Sequence, residues 1–424
     1  MNPDERKNAL KCVAGEGLSG TGMGLLGSVS VLPLLFSALG ATEVEVGLLG
    51  SIFMAGWLLL QPLSLFLLGR RRRTKRFLLP WGFFCAVPTY LGAGAAVYFL
   101  GTGRPRLCGV VVLVLLAVRV LGGGMAMPFW LDWQAMVFRR DIRGRVIGMM
   151  VGAFTLGGAL AALVAGRAVE CLSFPSNYSL LFLIASLFFV VSLGSFWMVR
   201  EPDSLSAPYI PLKTADLFRR FARSLSDRNF RSYLIGRVLM TLGAGGAAFY
   251  AVHFKAAAGG GVAAATVIKL SSLLFLAQCA VSYPLGRLGD RAGHKVGVVV
   301  GAVAQVGAIS VAYLGRGAVA CGVTFALVGI SWAAVWISHV NMLFETCPHD
   351  SRVAHITLSS MVLGPVLVLV PVGTGLLMRH VGMGPGIGLT LIPTLLGVGW
   401  LALMVKEPRD IELGGRDFDA PATA

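Results

Sequence analysis

The feature that most constrains this chain is its long uncharged runs. Stretches of about twenty apolar residues, enough for a helix to cross the hydrocarbon of a bilayer, recur near 17–39, 46–68, 77–100, 108–131, 146–168, 179–199, 233–254, 262–285, 296–314, 318–344, 353–378 and 386–405. A water-soluble chain is about a quarter charged, whereas this one is 13% charged and 56% hydrophobic. Its 55 glycines lie largely inside the runs, where transmembrane helices accept them. Strands of a membrane barrel alternate apolar with polar residues over about ten positions, and these runs do not. The expectation is an all-α polytopic membrane protein with twelve transmembrane helices.

A formal net charge of +16 invites a nucleic-acid reading, which the placement of the charges excludes. Most Lys and Arg fall in the two tails and the even-numbered loops. The positive-inside rule then puts both termini in the cytoplasm, in a cell (inner) membrane. The start, Met-Asn-Pro-Asp-Glu-Arg-Lys, carries two acids before the first run and does not read as a cleaved signal peptide. Seven scattered cysteines show no paired or metal-ligand spacing. No metal, no cofactor and no ATP-binding glycine loop is expected.

The runs divide into two halves. Residues 200–232 form the one long terminal-side connection, and its Leu217, Phe221 and Leu225 among basic residues fit either a helix lying on the inner leaflet or a solvated linker. The expected layout is a six-helix bundle at 1–199, this linker, a second six-helix bundle at 233–405, and a tail at 406–424. The halves echo one another. Met198-Val199-Arg200-Glu201-Pro202 returns as Met404-Val405-Lys406-Glu407-Pro408, and Asp141-Ile142-Arg143 as Asp350-Ser351-Arg352. Such duplication is the mark of a transporter whose site lies between two bundles near the midplane.

Between the eighth and ninth runs stands Gly286-x-Leu288-x-Asp290-Arg291-x-Gly293-x-Lys295. It resembles the signature loop of the major facilitator superfamily, and Leu115-x-x-x-Arg119-x-x-x-Gly123 is similar to that superfamily's second signature. Arg143-Gly144-Arg145 after Phe129-Trp130-Leu131-Asp132-Trp133 also fits, as does Leu39-Gly40-Ala41 leading to Val46-Gly47-Leu48-Leu49. The sequence departs from the pattern at Arg70, which stands where the first half would carry the loop's aspartate. It also lacks the Gly-Pro of drug/proton antiporters in the fifth run.

The resemblance implies a major facilitator fold and a terminal-side gate. Asp290 would face the start of the fifth helix near Arg143 and Arg145, and Arg291 would pair with Glu345. Gly286, Gly289 and Gly293 would supply a tight backbone, with Lys295 closing the motif. These contacts would hold only while the cytoplasmic ends are together. On the other side, Arg70 would meet a like charge, so either the lock would be one-sided or the arginine run there would bind lipid phosphates.

Charges inside spans are functional candidates by default. Arg119 lies roughly 17 Å into the fourth span at about 1.5 Å per residue, and its always-charged fork suits a carboxylate or phosphate. Lys269 and Arg237 are expected to snorkel to the outer and inner interfaces. Of twenty Asp and Glu, only Asp132 reaches the edge of a span, so no acid is expected at depth. Gln61, Gln278 and Asn341 are polar positions that can line a cavity or join helices.

The expected function is a secondary active or facilitative transporter working by alternating access, a monomer in the lipid bilayer. Its substrate would be a small molecule, anionic or carboxylate-bearing. The alternatives are a drug or metabolite exporter of the same fold, or an integral-membrane enzyme or sensor without transport.

Overall fold

The computed structural model describes residues 3–60, 74–201, 225–257, 261–339, 341–343 and 352–407. These are helical, with no strand among the described residues. In order the helices are α1 (Pro3–Leu25), α2 (Val31–Ala38), α3 (Glu43–Leu59), α4 (Thr74–Leu100), α5 (Pro105–Val137), α6 (Arg140–Cys171) and α7 (Ser176–Trp197). After the linker come α8 (Arg228–Ala244), a 3₁₀ turn (Gly245–Phe249), α9 (Tyr250–Ala256), α10 (Ala264–Leu270), α11 (Ser272–Ala292), α12 (His294–Leu314) and α13 (Gly317–Ala334). A π-helical turn (Val335–His339), α14 (Arg352–Val381), α15 (Met383–Leu389) and α16 (Leu391–Met404) complete the chain.

Ten helical segments among the described residues are long and apolar enough to cross a membrane. The expected spans at 17–39 and 46–68 fall on α1–α2 and α3, which do not reach that measure among the described residues. Joined end to end where they are broken, the helices form rods that run back and forth. Rod one is α1–α2, rods two to six are α3 to α7 in order, rod seven is α8–α9, rod eight is α10–α11, rod nine is α12, rod ten is α13 with the π turn, rod eleven is α14, and rod twelve is α15–α16. Asp227 starts rod seven, its carboxylate accepting from the backbone N–H of Asn229 and Phe230 at 2.7 and 3.0 Å, as a helix N-cap does.

The signature stretch 286–295 is less of a loop than its composition suggests. Helix α11 runs on to Ala292 and α12 starts at His294, so Gly286 and Gly289 are helical and the turn is Gly293 alone. Gly293 has φ of +85°, and a Cβ there would collide with the Glu407 carboxylate. Only glycine suits that position.

The echoed Arg-Glu-Pro and Lys-Glu-Pro ends have a shared structural purpose. Glu407 accepts from the backbone N–H of Lys295 at 2.9 Å, capping rod nine, while Lys295 Nζ donates to Ala402 O at 2.8 Å. In the first half Glu201 accepts from the backbone N–H of Lys75 at 3.2 Å, and Lys75 Nζ donates to Val199 O at 2.6 Å. The Trp133 indole adds a second bond to Glu201 at 2.9 Å. Asn8 exchanges two hydrogen bonds with the Arg200 backbone, and Asn229 exchanges the same two with Lys406. Thus Lys295, expected at a gate between halves, is bound within its own half.

The most extensive contacts between the halves are rod two on rod eleven and rod five on rod eight, with smaller ones from rod seven to rods one and two. They lie on the side away from the chain ends. Gly47 and Gly50 approach Pro371, Gly375 approaches Glu43, and Ser51 Oγ donates to Val368 O at 2.6 Å. Gly158 meets the Phe275 ring and Gly166 meets Ala265 and Lys269. The largest apolar core is shared by both halves on this far side, running through Leu34, Val46, Ala161, Phe249, Val267 and Phe325. The apolar cores on the side of the chain ends each belong to one half, as with Trp133, Ile142 and Met150 in the first, or Tyr233, Val298 and Leu401 in the second.

Candidate functional site

Rod packing leaves a cleft in each half. Rods three and six pack on each other, as do rods nine and twelve, forming the back walls. On the side of the chain ends, rods one and four meet through side chains around Ala9, Cys12 and Trp133, and rods seven and ten through Tyr233 and His339. Rods two and five flank the first cleft and reach the other half, so each cleft opens toward its counterpart.

Glycines fix how α1 is turned. Gly15 and Gly22 pack on Phe196 and Phe189 of α7, while Gly17, Gly20 and Gly24 pack on Ala153, Phe154 and Gly158 of α6. The face between them carries Ala9 and Cys12, buried against Trp133 and Phe138 of rod four. One turn further along this face stands Glu16, partly exposed in the cleft. It lies eight residues beyond Asn8, about 12 Å from the rim at 1.5 Å per residue. Among the described residues its carboxylate has no hydrogen bond and no ion pair. The reading that no acid lies at depth is therefore corrected. Hydropathy starts the first span at residue 17, but α1 begins fourteen positions earlier and carries Glu16 inward with it.

Rod seven repeats the arrangement. Gly236, Gly243 and Gly245 stand where Gly15, Gly22 and Gly24 stand in rod one, packing on Leu401, Thr394 and Thr374. The same offset relates Asn229 to Asn8 and Arg237 to Glu16. Arg237 is thus not a snorkelling residue one turn from the membrane surface but a cleft residue at Glu16's depth. It is partly exposed and within electrostatic reach of Tyr233 and His339. Among the described residues its guanidinium has no hydrogen bond or ion pair. His339 ends the π-helical turn of rod ten, and the Tyr233 hydroxyl donates to its carbonyl at 2.9 Å and lies 3.3 Å from its Nδ1. Single π turns inside helices are frequent at functional sites.

The other expected residues are spread over several places. Arg119 is 8% exposed, behind the first cleft, with its guanidinium carbon 4.8 Å from the Phe189 ring centre and 5.6 Å from that of Tyr90. Lys269 does not simply snorkel. Its Nζ lies 2.7 Å from Glu170 Oε2, joining rod eight to rod five, and Arg167 approaches the same oxygen at 2.8 Å. Asn341 donates to Ile337 O at 2.9 Å within its own rod, and Gln278 is partly exposed on α11. Arg143 is partly exposed and Arg145 and Arg291 are exposed at the ends of α6 and α11. Gln61 and Glu345 lie outside the described residues, as do the side chains of Asp132 and Asp290, Arg70, and most of the interfacial helix expected near 217–225. No group of His, Cys, Asp and Glu able to hold a metal is found among the described residues.

No known sequence family matches the chain. No curated protein matches it significantly in sequence. Solved structures do match in three dimensions. A bacterial homologue of the human lysosomal transporter Spinster, inward-facing and unoccupied, is 13% identical over the whole of both chains with a TM-score of 0.66. An aspartate-to-alanine mutant of the nucleoside transporter NupG is 12% identical over 95% of this chain and 100% of that one, with a TM-score of 0.72. A POT family transporter in complex with 5-aminolevulinic acid is 10% identical over 94% of this chain and 96% of that one, with a TM-score of 0.68. The chain therefore has the major facilitator fold and is a multi-pass membrane protein.

Proposed function

We propose that this protein is a secondary transporter that moves a small solute by alternating access, its two six-helix halves rocking about the central clefts. One observation carries the reading: the halves share an apolar core on the far side and have separate cores on the side of the chain ends. The face of α6 that packs on rod eight at Gly158 and Gly166 continues as Val151, Gly148 and Gly144, and all three are exposed. On rod eight the matching face reaches Cys279 and Tyr283, also exposed. With both termini in the cytoplasm of a cell membrane, this is an inward-open carrier. The solute carries a carboxylate or another anionic group, which the forked donors of Arg237 suit.

The Ser30 and Ser271 hydroxyl oxygens, one from each half, lie 3.0 Å apart on the far side. With the native cysteines replaced, a Ser30→Cys, Ser271→Cys pair is expected to oxidise to a disulfide that holds this side shut. A reporter Val151→Cys then labels completely with an impermeant maleimide from the terminal side, and solute exchange stops until reductant is added. Exchange that continues through the locked protein refutes alternating access here.

A further inference from the structure

Glu16 and Arg237 hold equivalent positions on the first rods of the two halves, one an acid and the other a base. Both sit about 12 Å inside the rim, in clefts that face each other, and both are partly exposed. Neither has a counter-ion among the described residues. In the open state water solvates them. When the terminal side closes, each loses that water, and an ionised group left dry without a partner is strongly destabilising. Closure is then favoured by opposite charges arriving from outside. Resting on the transport reading above, we propose that the solute is zwitterionic, its carboxylate held by Arg237 with His339 and Tyr233 alongside, and its ammonium held by Glu16. The class is amino acids, ω-amino acids or short peptides with free ends. A solute bearing both charges neutralises both clefts, while one bearing a single charge leaves the other group uncompensated.

The test is binding to the purified full-length protein, read as thermal stabilisation over a concentration series. The probes are ω-amino acids from glycine to 8-aminooctanoate, together with alanine, dialanine and trialanine. Each is matched with its N-acetyl form, which lacks the cation, and its amide, which lacks the anion. The free form of at least one length is expected to bind about tenfold or more tightly than either blocked form, the factor that one lost charged hydrogen bond produces. Glu16→Gln is expected to erase the preference for a free amine while keeping that for a free carboxylate, and Arg237→Gln to do the reverse. Because the blocked series is run on the unaltered protein, misfolding of a variant cannot mask the result. Equal binding of free and N-acetyl forms, or no binding by any probe to folded protein, overturns the zwitterion proposal. That outcome leaves the transport reading standing as long as the Ser30–Ser271 cross-link still stops exchange.

Discussion

Lys269 Nζ stands 2.7 Å from Glu170 Oε2, and this ion pair ties rod eight to rod five at the closed end. Both side chains are well exposed, at 32% and 44%, so the contact adds little to overall stability. On the alternating-access reading its effect is on the balance between states, because opening the far side would part rods five and eight. Lys269→Gln is expected to raise labelling of a far-side Ser271→Cys a few-fold, and high salt to mimic it by screening. The exchange Glu170→Lys with Lys269→Glu is expected to restore the parent level. Labelling that is unchanged in Lys269→Gln refutes the latch.

The caps at Glu201 and Glu407 concern the integrity of each half. Removing either carboxylate leaves a helix-start N–H without its acceptor, which costs about 1–3 kcal/mol. Glu407→Ala and Glu201→Ala are expected to lower the midpoint of thermal unfolding in detergent while leaving solute affinity in the surviving folded protein unchanged. An affinity loss without a stability loss would contradict this assignment.

Arg119 lies behind the cleft, on two aromatic rings. Arg119→Lys keeps the charge but loses the flat guanidinium that stacks there, at a cost of about 1–2 kcal/mol for a desolvated cation–π contact. The measurable sign is a lower unfolding temperature with the half-saturating solute concentration unchanged. A selective loss of anion affinity would return Arg119 to the binding site.

Glycines on α1 and α6 sort by what they touch. A Cβ at Gly158 meets the Phe275 ring of the other half, and one at Gly20 meets the α6 backbone, whereas one at Gly148 meets nothing within 4 Å. Gly20→Leu is expected to cost about 1–3 kcal/mol through overpacking. Gly148→Ala is expected to leave the monodisperse yield on size-exclusion chromatography unaltered.

Apolar run length, loop charge and the echoed chain ends made the fold legible, since membrane helices follow hydropathy and the caps demanded the same Glu twice. The site was far less so. Glu16 was hidden because hydropathy trims a helix at its first charge, and α1 is too polar to score as a span. Arg237 was misplaced by about one and a half turns for the same reason, its helix starting at Arg228. The register that relates them becomes visible through glycines, which record where rods touch, and through Asn8 and Asn229, whose hydrogen bonds are the same in both halves. The Glu170–Lys269 pair spans residues far apart in sequence and has no local signal.

Rod two meeting eleven while five meets eight has a consequence for how such a chain could arise. Each contact is the image of the other under exchange of halves, which is the geometry of a self-complementary twofold interface. A six-rod ancestor could therefore have worked as a homodimer. A homodimer, however, must repeat the same residue at both equivalent positions, two acids or two bases. Gene fusion frees the copies to diverge, and only then can Glu16 stand opposite Arg237.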